Sequence, residues 1–457
     1  MRFLRWSLVG ALVSAALAAD YPPPPPPAAD PDIRQIVSEI SGDRIERSII
    51  VLASFNTRNT LSDPAPSGNG IGAAGAWIRT QFEKLSARTG GRIRVEVDRF
   101  MQPMVISGST RSVDIVNIAA TLPGSRPDAA ERRYVVCAHY DSRASDPFDA
   151  VSPAPGADDD GSGVAAVLEC AQVLSQYRFP ATLVFLVTSG EEQGLLGSTH
   201  WARKARERDL DIQAMLDDDT IGCCHGPHGK IERGTVRLFA PGIPASPALD
   251  PAMLALIRAG GQNDTPAREL ARAAPAIARV YVPSLAVRVV FRADPYGRES
   301  DHLPFAGEGY PAVRFTEPLD DVRRLDQDVR IVRGVRYGDL TDFMDYLYAA
   351  NVARVNAAVL AELARAPAPP ARVRIDIRRP AAPTLRWAAD SDPYLAGYRV
   401  VWRDTLAPFW EHHLDVRRGR TEVVLPASPD DALFGVEAFD LDGRVSQAAF
   451  ASDGPQS

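Results

Sequence analysis

The chain has 457 residues, of which 45% are hydrophobic and 24% are charged, so it has enough apolar side chain for at least one large core. Its formal net charge is -7, and its basic residues are scattered along the chain, which argues against a surface that binds nucleic acid. After the first twenty residues, no segment has enough uninterrupted apolar residues to cross a bilayer.

The N-terminal residues have the features of an export signal. A basic head at residues 1–5 precedes an apolar stretch that is too short to span a membrane, and Ala16, Leu17 and Ala18 form a cleavage site with small residues. Residues 1–18 are therefore predicted to be a signal peptide of a secreted or periplasmic protein. Residues 19–31 contain six consecutive prolines and are predicted to form an extended spacer.

Residues 32–366 are predicted to form an α/β domain. Apolar residues recur at helical spacing near its start and end, and short apolar runs alternate with helical patterns between them. This alternation predicts a mostly parallel or mixed central sheet with helices on both faces. The predicted strands are 94–100, 114–122, 134–138, 182–187, 212–216 and 287–291, and the main predicted helices are 33–52, 76–85, 161–177, 194–208 and 339–364.

A proline-rich linker at residues 366–370 separates this domain from a different pattern. Short runs at 384–387, 397–403, 422–425 and 433–440 alternate with turn residues such as Asp442-Gly443. Residues 371–452 are therefore predicted to form a small all-β sandwich.

Histidine and acidic clusters follow the predicted strands of the α/β domain. The carboxyl ends of parallel strands meet at one edge of a sheet, so these clusters are expected to converge there. The apolar run at 287–291, which precedes a fifth cluster, is expected to end at the same edge. The clusters are His139 with Asp141, Asp158 to Asp160, Glu191 with Glu192, Asp217 to Asp219, and Ser300 to His302.

Carboxylates mixed with imidazole are a ligand set that suits zinc, so these clusters predict a metal site. Two zinc ions at the spacing typical of hydrolytic dimetal sites need a carboxylate that bridges them. The glycines that flank the three aspartates at 158–160 allow a sharp backbone turn, which would direct one of these aspartates to the metals. In the Glu191-Glu192 pair, one carboxylate can bind metal while its neighbour takes a proton from the attacking water. Asp141, two residues after His139, is expected to orient the His139 imidazole without binding the metal itself.

The order and flanking residues of the clusters resemble the dizinc aminopeptidase family that includes secreted bacterial leucyl aminopeptidases and glutamate carboxypeptidases. The resemblance covers residues 32–365 and implies two Zn²⁺ ions, with Glu191 as the general base. It implies that one ion binds Asp159, Glu192 and His302, and that the other binds the bridging Asp159, His139 and Asp219. Because Asp217 to Asp219 offers three aspartates where relatives commonly show one, a shift of the ligand to Asp218 stays open.

The resemblance implies an exported zinc exopeptidase that removes N-terminal residues from peptides. A water held by the ions would attack the scissile carbonyl while Glu191 accepts its proton. Alternatives on the same scaffold are a carboxypeptidase, a glutaminyl cyclase with one zinc ion, and a non-catalytic receptor-like domain. Residues 230–287 match no motif and are expected to carry much of the substrate pocket.

The remaining features concern the cysteines and the C-terminal module. Cys137 and Cys170 are predicted to be buried thiols, whereas the adjacent Cys223 and Cys224 are loop thiols, metal ligands or a pair. The C-terminal module resembles a fibronectin type III domain, with Trp387 in its core and strands at 397–402 and 434–438. It is expected to serve adhesion, spacing or stability, with another protein or a polymer as its partner.

Overall fold

The structure is a computed structural model that describes residues 21–244, 251–293, 298–376 and 382–452. The predicted signal peptide lies outside these residues. The described chain forms two compact units. The larger unit contains residues 29–244, 266–293 and 298–365, and the smaller contains 21–28, 251–265, 366–376 and 382–452.

The described helices alternate with strands through most of the larger unit. The helices are α1 (Pro31–Glu39), α2 (Gly42–Ala53), α3 (Ile71–Arg88), α4 (Gly161–Leu174), α5 (Leu196–Glu207), α6 (Pro251–Arg258, in the smaller unit), α7 (Pro266–Tyr281), α8 (His302–Gly307) and α9 (Tyr346–Arg365). The strands of the larger unit are β1 (Arg94–Ile106), β2 (Ser109–Leu122), β3 (Arg132–His139), β4 (Thr182–Thr188), β5 (Asp211–Asp218), β6 (Thr235–Phe239), β7 (Ala286–Val290), β8 (Ala312–Thr316), β9 (Arg330–Val332) and β10 (Val335–Tyr337). No described helix is both long and apolar enough to cross a membrane.

The central sheet of the larger unit has eight strands in the order β1-β2-β4-β3-β5-β8-β6-β7. Its middle four strands, β4, β3, β5 and β8, run parallel to one another. Side chains of β3 alternate between two cores, with Val136 and Ala138 in one and Val135 and Cys137 in the other. The sheet is therefore buried on both faces, and the predicted mixed α/β class is confirmed.

The direction predicted for the run at 287–291 is wrong. This run forms β7, which is parallel to β6, and β6 is antiparallel to β8. The carboxyl end of β7 therefore lies at the edge opposite to that of β3, β4 and β5. An apolar run predicts a strand but carries no information about its direction, which the neighbouring strands decide.

The start of the last helix also differs from the prediction. The helix predicted at 339–364 begins at Tyr346, and residues before it form a short 3₁₀ turn at Thr341–Phe343. Asp339 is thus outside the helix, and its carboxylate accepts hydrogen bonds from the backbone N–H groups of Asp158 and Asp159 at 2.8–3.0 Å. Asp339 fixes the backbone of the loop that carries the predicted bridging aspartate.

Arg58 holds the same loop from the other side. Its guanidinium is buried and donates to the carbonyl oxygens of Tyr140 at 2.7 Å and Gly156 at 2.8 Å, and to that of Pro155. It also donates to the carbonyl oxygen of Leu52 at 3.2 Å. Arg58 therefore ties the segment after β3 to the loop before α4.

The smaller unit contains two antiparallel sheets. Their strands are β11 (Arg374–Asp376), β12 (Thr384–Arg386), β13 (Leu395–Asp404), β14 (His412–Arg417), β15 (Glu422–Val424), β16 (Ala432–Asp440) and β17 (Ala449–Phe450). One sheet has the order β11-β12-β15 and the other β14-β13-β16-β17, and side chains of both share one core that includes Leu385, Trp387, Tyr398 and Phe434. The all-β structure predicted for residues 371–452 is confirmed in the described part of that range, whereas the resemblance to fibronectin type III stays a prediction.

We predict that Arg58→Ala lowers the free energy of unfolding by about 3 kcal/mol or more, because it leaves several buried carbonyl oxygens without a donor. Thermal or denaturant unfolding measures this change. The matched control is Arg79→Ala, since Arg79 is exposed and, among the described residues, forms an ion pair only with Glu83 at i,i+4, so its removal is expected to cost less than about 0.5 kcal/mol. Equal effects of the two substitutions would contradict the role given to Arg58.

Candidate metal centre

The parallel strands in the middle of the sheet bring most of the predicted site residues together. His139 is the last residue of β3, Asp219 follows the end of β5, and Glu191 and Glu192 follow β4 by three and four residues. Asp159 lies just before α4, on the connection that leaves β3. Since β4, β3 and β5 are adjacent and parallel, their carboxyl ends form one rim, as expected for a ligand site in an α/β sheet.

His139 lies among carboxylates. Its Nε2 is 3.2 Å from Asp159 Oδ1 and 3.8 Å from Asp219 Oδ1. Its Nδ1 is 3.2 Å from the carbonyl oxygen of Asp141 and 3.6 Å from Oδ1 of the same residue. With Nδ1–H as the donor to Asp141, the lone pair of Nε2 faces Asp159 and Asp219, as metal binding requires.

Asp141 also fixes the glutamate pair. Its carboxylate accepts hydrogen bonds from the backbone N–H of Glu191 at 3.3 Å and of Glu192 at 3.1 Å, and from the hydroxyl of Thr60 at 3.1 Å. Asp141 therefore organises both the histidine and the glutamates, a wider role than the one predicted from its spacing to His139.

The two glutamates belong to different groups of ligand atoms. Glu191 lies with His139 and Asp219, and Glu192 lies with Asp159 and Asp326; within each group the atoms are within 4.8 Å of one another. Asp326 was not predicted to belong to the site. It lies in a polar loop after β8 with no motif around it, so no signal in the sequence distinguishes it from neighbouring acidic residues.

His302 lies against Asp217, two residues before Asp219 in the chain. The His302 ring is fully buried, and its Nδ1 lies 3.2 Å from Asp217 Oδ2. Within the described chain, Asp217 is the only residue with a carboxylate oxygen within 4.0 Å of a His302 ring nitrogen. The structure thus does not bring His302 directly against Asp159 or Glu192, the grouping that the resemblance implied.

The three consecutive aspartates after Leu216 have separate partners. Side chains alternate along β5, so Asp217 and Asp219 lie on one side and Asp218 on the other. Asp218 accepts from the side-chain amide of Asn356, whereas Asp219 lies near His139. The geometry favours Asp219 over Asp218 as the ligand.

Burial and mutual repulsion dominate the electrostatics of the site. Burial raises the pKa of Glu191 and of Glu192 well above the usual value, and nearby carboxylates raise it further. Burial alone would lower the pKa of His139, but Glu191, Asp141, Asp159 and Asp219 together raise it well above its usual value. For Asp219, burial acts to raise the pKa, but Arg314 at 3.1 Å and His139 lower it overall.

The donor atoms fit zinc. His139 Nε2, Glu192 Oε1 and His302 Nε2 are buried and have no hydrogen-bond partner among the described residues. Buried polar atoms in native proteins normally have partners, so such atoms at one rim indicate a ligand. Imidazole nitrogen and carboxylate oxygen are the donors that zinc binds in hydrolytic sites.

A cavity of about 450 Å³ opens over these groups. It is lined by Asp159, Glu191, Glu192 and Asp219, by four arginines and by part of the loop after β8. From the stretch 230–287, only Arg237 lines this cavity in the described chain, so the expectation that this stretch carries much of the pocket is wrong for the cavity over the site. The arginines are Arg143, Arg237, Arg298 and Arg314.

All four cysteines are free and buried, as predicted for Cys137 and Cys170. Cys223 and Cys224 do not form a disulfide. The Sγ atom of Cys223 lies 3.2 Å from Nη1 of Arg324, and that of Cys224 lies 3.2 Å from Oδ2 of Asp345. Burial raises the pKa of the Cys223 thiol to about 11, which disfavours its thiolate form.

Comparisons with known proteins agree with this geometry. A profile of Peptidase family M28 matches residues 117–363. A probable zinc metalloprotease of Leptosphaeria maculans is 39% identical over 428 residues, covering 93% of this chain and 98% of that protein. A probable zinc metalloprotease of Pyrenophora tritici-repentis is 39% identical over 427 residues, covering 93% of this chain and 88% of that protein. The LapA aminopeptidase of Legionella pneumophila has a similar fold, with a TM-score of 0.50 at 19% identity, covering 73% of this chain and 74% of LapA.

We predict that the metal-free protein loses stability as the pH rises. Burial raises the pKa of Asp158 to about 6 and of Asp301 to about 7, from a usual 3.8. The folded chain then binds more protons than the unfolded chain at these two groups. Their contribution to the free energy of unfolding is therefore complete below about pH 4 and is lost as the pH rises to about 7. Asp219, whose pKa is lowered, opposes this trend.

Bound zinc supplies positive charge that compensates the negative charge of the ionised carboxylates. Its stabilising effect should therefore be largest near pH 7, where more of the carboxylates are ionised. Thermal unfolding at a series of pH values, with zinc and with a chelator, measures this difference. A zinc-induced rise in Tm that is larger at about pH 5 than at about pH 7 would contradict the charge balance described for the site.

Proposed function

The chain belongs to peptidase family M28, and we propose that it is an exported dizinc aminopeptidase that removes N-terminal residues from peptides. Family membership and relatives named as zinc metalloproteases support a zinc protease. The number of ions, the exopeptidase specificity and the export are the parts that we propose.

The observation that supports the proposal best is that Glu191 and Glu192 lie in two different groups of possible metal ligands. Asp159 lies 3.2 Å from His139 and also belongs to the group with Glu192, so its carboxylate stands between the two sets of ligand atoms. This position suits a bridging ligand between two ions. Glu191 is then free of the bridge and faces His139 and Asp219.

When bound, zinc supplies a Lewis acid for the scissile carbonyl and lowers the pKa of water. Glu191 takes the proton of the attacking water and later donates it to the departing amine. Its raised pKa lets the carboxylate hold that proton between the two steps. Asp141 keeps the backbone of Glu191 in place, and the Glu191 side chain lines the cavity over the site.

Two points support cleavage at the N-terminus. Asp326 supplies a carboxylate next to Asp159 and Glu192 that lies 3.6 Å from Arg143 and is 45% exposed, so a protonated α-amine in the cavity can also pair with it. The protein of similar fold, LapA, is named an aminopeptidase. That likeness is one of fold, so the cleavage site needs a direct test.

The export signal predicted at residues 1–18 supports a secreted or periplasmic location. Expression of the full-length chain followed by N-terminal sequencing of the exported product tests this proposal. We expect the mature chain to begin at Ala19, and retention of Met1 in a cytoplasmic product would contradict export.

We predict that Glu191→Gln lowers kcat about 10²- to 10⁴-fold, the usual contribution of general acid–base catalysis. Zinc content should stay unchanged, because Glu191 is not assigned to a metal. The matched variant is Glu192→Gln at the next residue, which should weaken zinc binding as well as activity. Full activity of the Glu191 variant would remove its role as the base.

Paired substrates separate the aminopeptidase from its alternatives. We expect release of the first residue from peptides with a free N-terminus and no release from the same peptides after N-acetylation, because the blocked amine carries no charge to pair with Asp326. Mass spectrometry of the products measures this difference. Release of the C-terminal residue, or conversion of an N-terminal glutamine to pyroglutamate, would contradict the proposal.

A further inference from the structure

Asp217 is an acidic residue that the proposed reaction does not use. It is fully buried, and Oδ2 receives three hydrogen-bond donors from one segment. These are the backbone N–H of His302 at 3.0 Å, the hydroxyl of Ser300 at 2.6 Å and the ring Nδ1 of His302 at 3.2 Å. Asp217 thus binds the start of α8 at the residue predicted to be a zinc ligand.

These contacts determine which nitrogen of His302 is available. A carboxylate oxygen only accepts hydrogen bonds, so Nδ1 carries the proton in this pair. Nε2 then has a free lone pair, and it is buried without a hydrogen-bond partner in the described part of the chain. A neutral imidazole with Nδ1–H bound to a carboxylate is the usual arrangement of a zinc-ligating histidine.

We propose that Asp217 is a positioning residue that fixes the ring and tautomer of His302, so that His302 Nε2 binds one of the two zinc ions. This inference rests on the proposed dizinc function. It explains why a carboxylate is kept in a fully buried position, where an unpaired charge would be costly. It also gives a role to the first of the three consecutive aspartates.

The neighbouring Asp218 provides a matched control. It is equally buried and lies on the same strand, but its carboxylate accepts from Asn356 on α9 and makes no contact with His302 among those described. Substituting either aspartate removes one buried carboxylate from β5. Only the change at Asp217 should affect the zinc ion that His302 binds.

The experiment measures zinc stoichiometry and affinity of the full chain by titration against a chromophoric chelator. The wild type should bind two ions, and His302→Ala should lose one of them. Asp217→Asn keeps the shape of the side chain and removes its charge, and it should weaken that same ion about 10- to 100-fold. Asp218→Asn should leave both zinc affinities unchanged, whatever its effect on Tm.

A double variant adds a readout that a structural role would not produce. If Asp217 acts through His302, Asp217→Asn should cause no further loss of zinc in the His302→Ala background. If Asp217→Asn does not fold, Ser300→Ala replaces it, because the Ser300 hydroxyl holds the same oxygen of Asp217. This variant should weaken the same ion to a smaller extent, and an unchanged affinity would overturn the inference.

The outcomes distinguish this inference from the proposed function. A wild-type chain that binds no zinc would contradict the proposed function itself. If the wild type binds two ions and His302→Ala also binds two, His302 is not a ligand and the positioning role fails while the protease stands. If His302→Ala loses an ion but Asp217→Asn matches the wild type, only the role of Asp217 is overturned.

Discussion

The candidate site depends on a concentration of buried and partly buried carboxylates at one rim of the central sheet. The parallel strands β4, β3 and β5 bring Glu191, Glu192 and Asp219 together there, with Asp159 beside them. Burial raises the cost of each negative charge, and repulsion between the carboxylates raises it further. His139 and Arg314 offset part of this charge, and bound zinc would supply the rest.

A second layer of residues makes this arrangement possible by fixing the backbone. Arg58 and Asp339 hold the loop that carries Asp159, and Asp141 holds the backbone of both glutamates. Asp217 has the same relation to His302. Each of these supporting side chains is buried, so the loops that carry the ligands are held by contacts within the folded chain. Precise placement of this kind is what metal-assisted hydrolysis requires.

Much of the fold was predictable because the central strands β3, β4 and β5 are largely apolar runs followed by polar or acidic residues. The same pattern located the clusters that contain these residues, and the family resemblance singled out Asp159, Glu191 and Asp219 within them, which the structure brings together with His139. The sequence pattern gave wrong predictions where contacts distant in the chain determine the structure. The direction of β7 depends on its pairing with β6. Asp339 lies outside α9 because its carboxylate binds the backbone of the loop that carries Asp159. Asp326 lies at the site because of the conformation of the loop after β8, which no local sequence pattern predicts.

The central claim is that this rim holds two zinc ions that share Asp159. The most direct test is a crystal structure of the zinc-loaded protein with anomalous diffraction measured at the zinc edge. The account predicts two peaks about 3.5–4 Å apart on either side of the Asp159 carboxylate, one next to His139 and Asp219 and the other next to Glu192. A single peak, or peaks at another place such as the buried group of Asp158, Cys223 and Glu317, would contradict it.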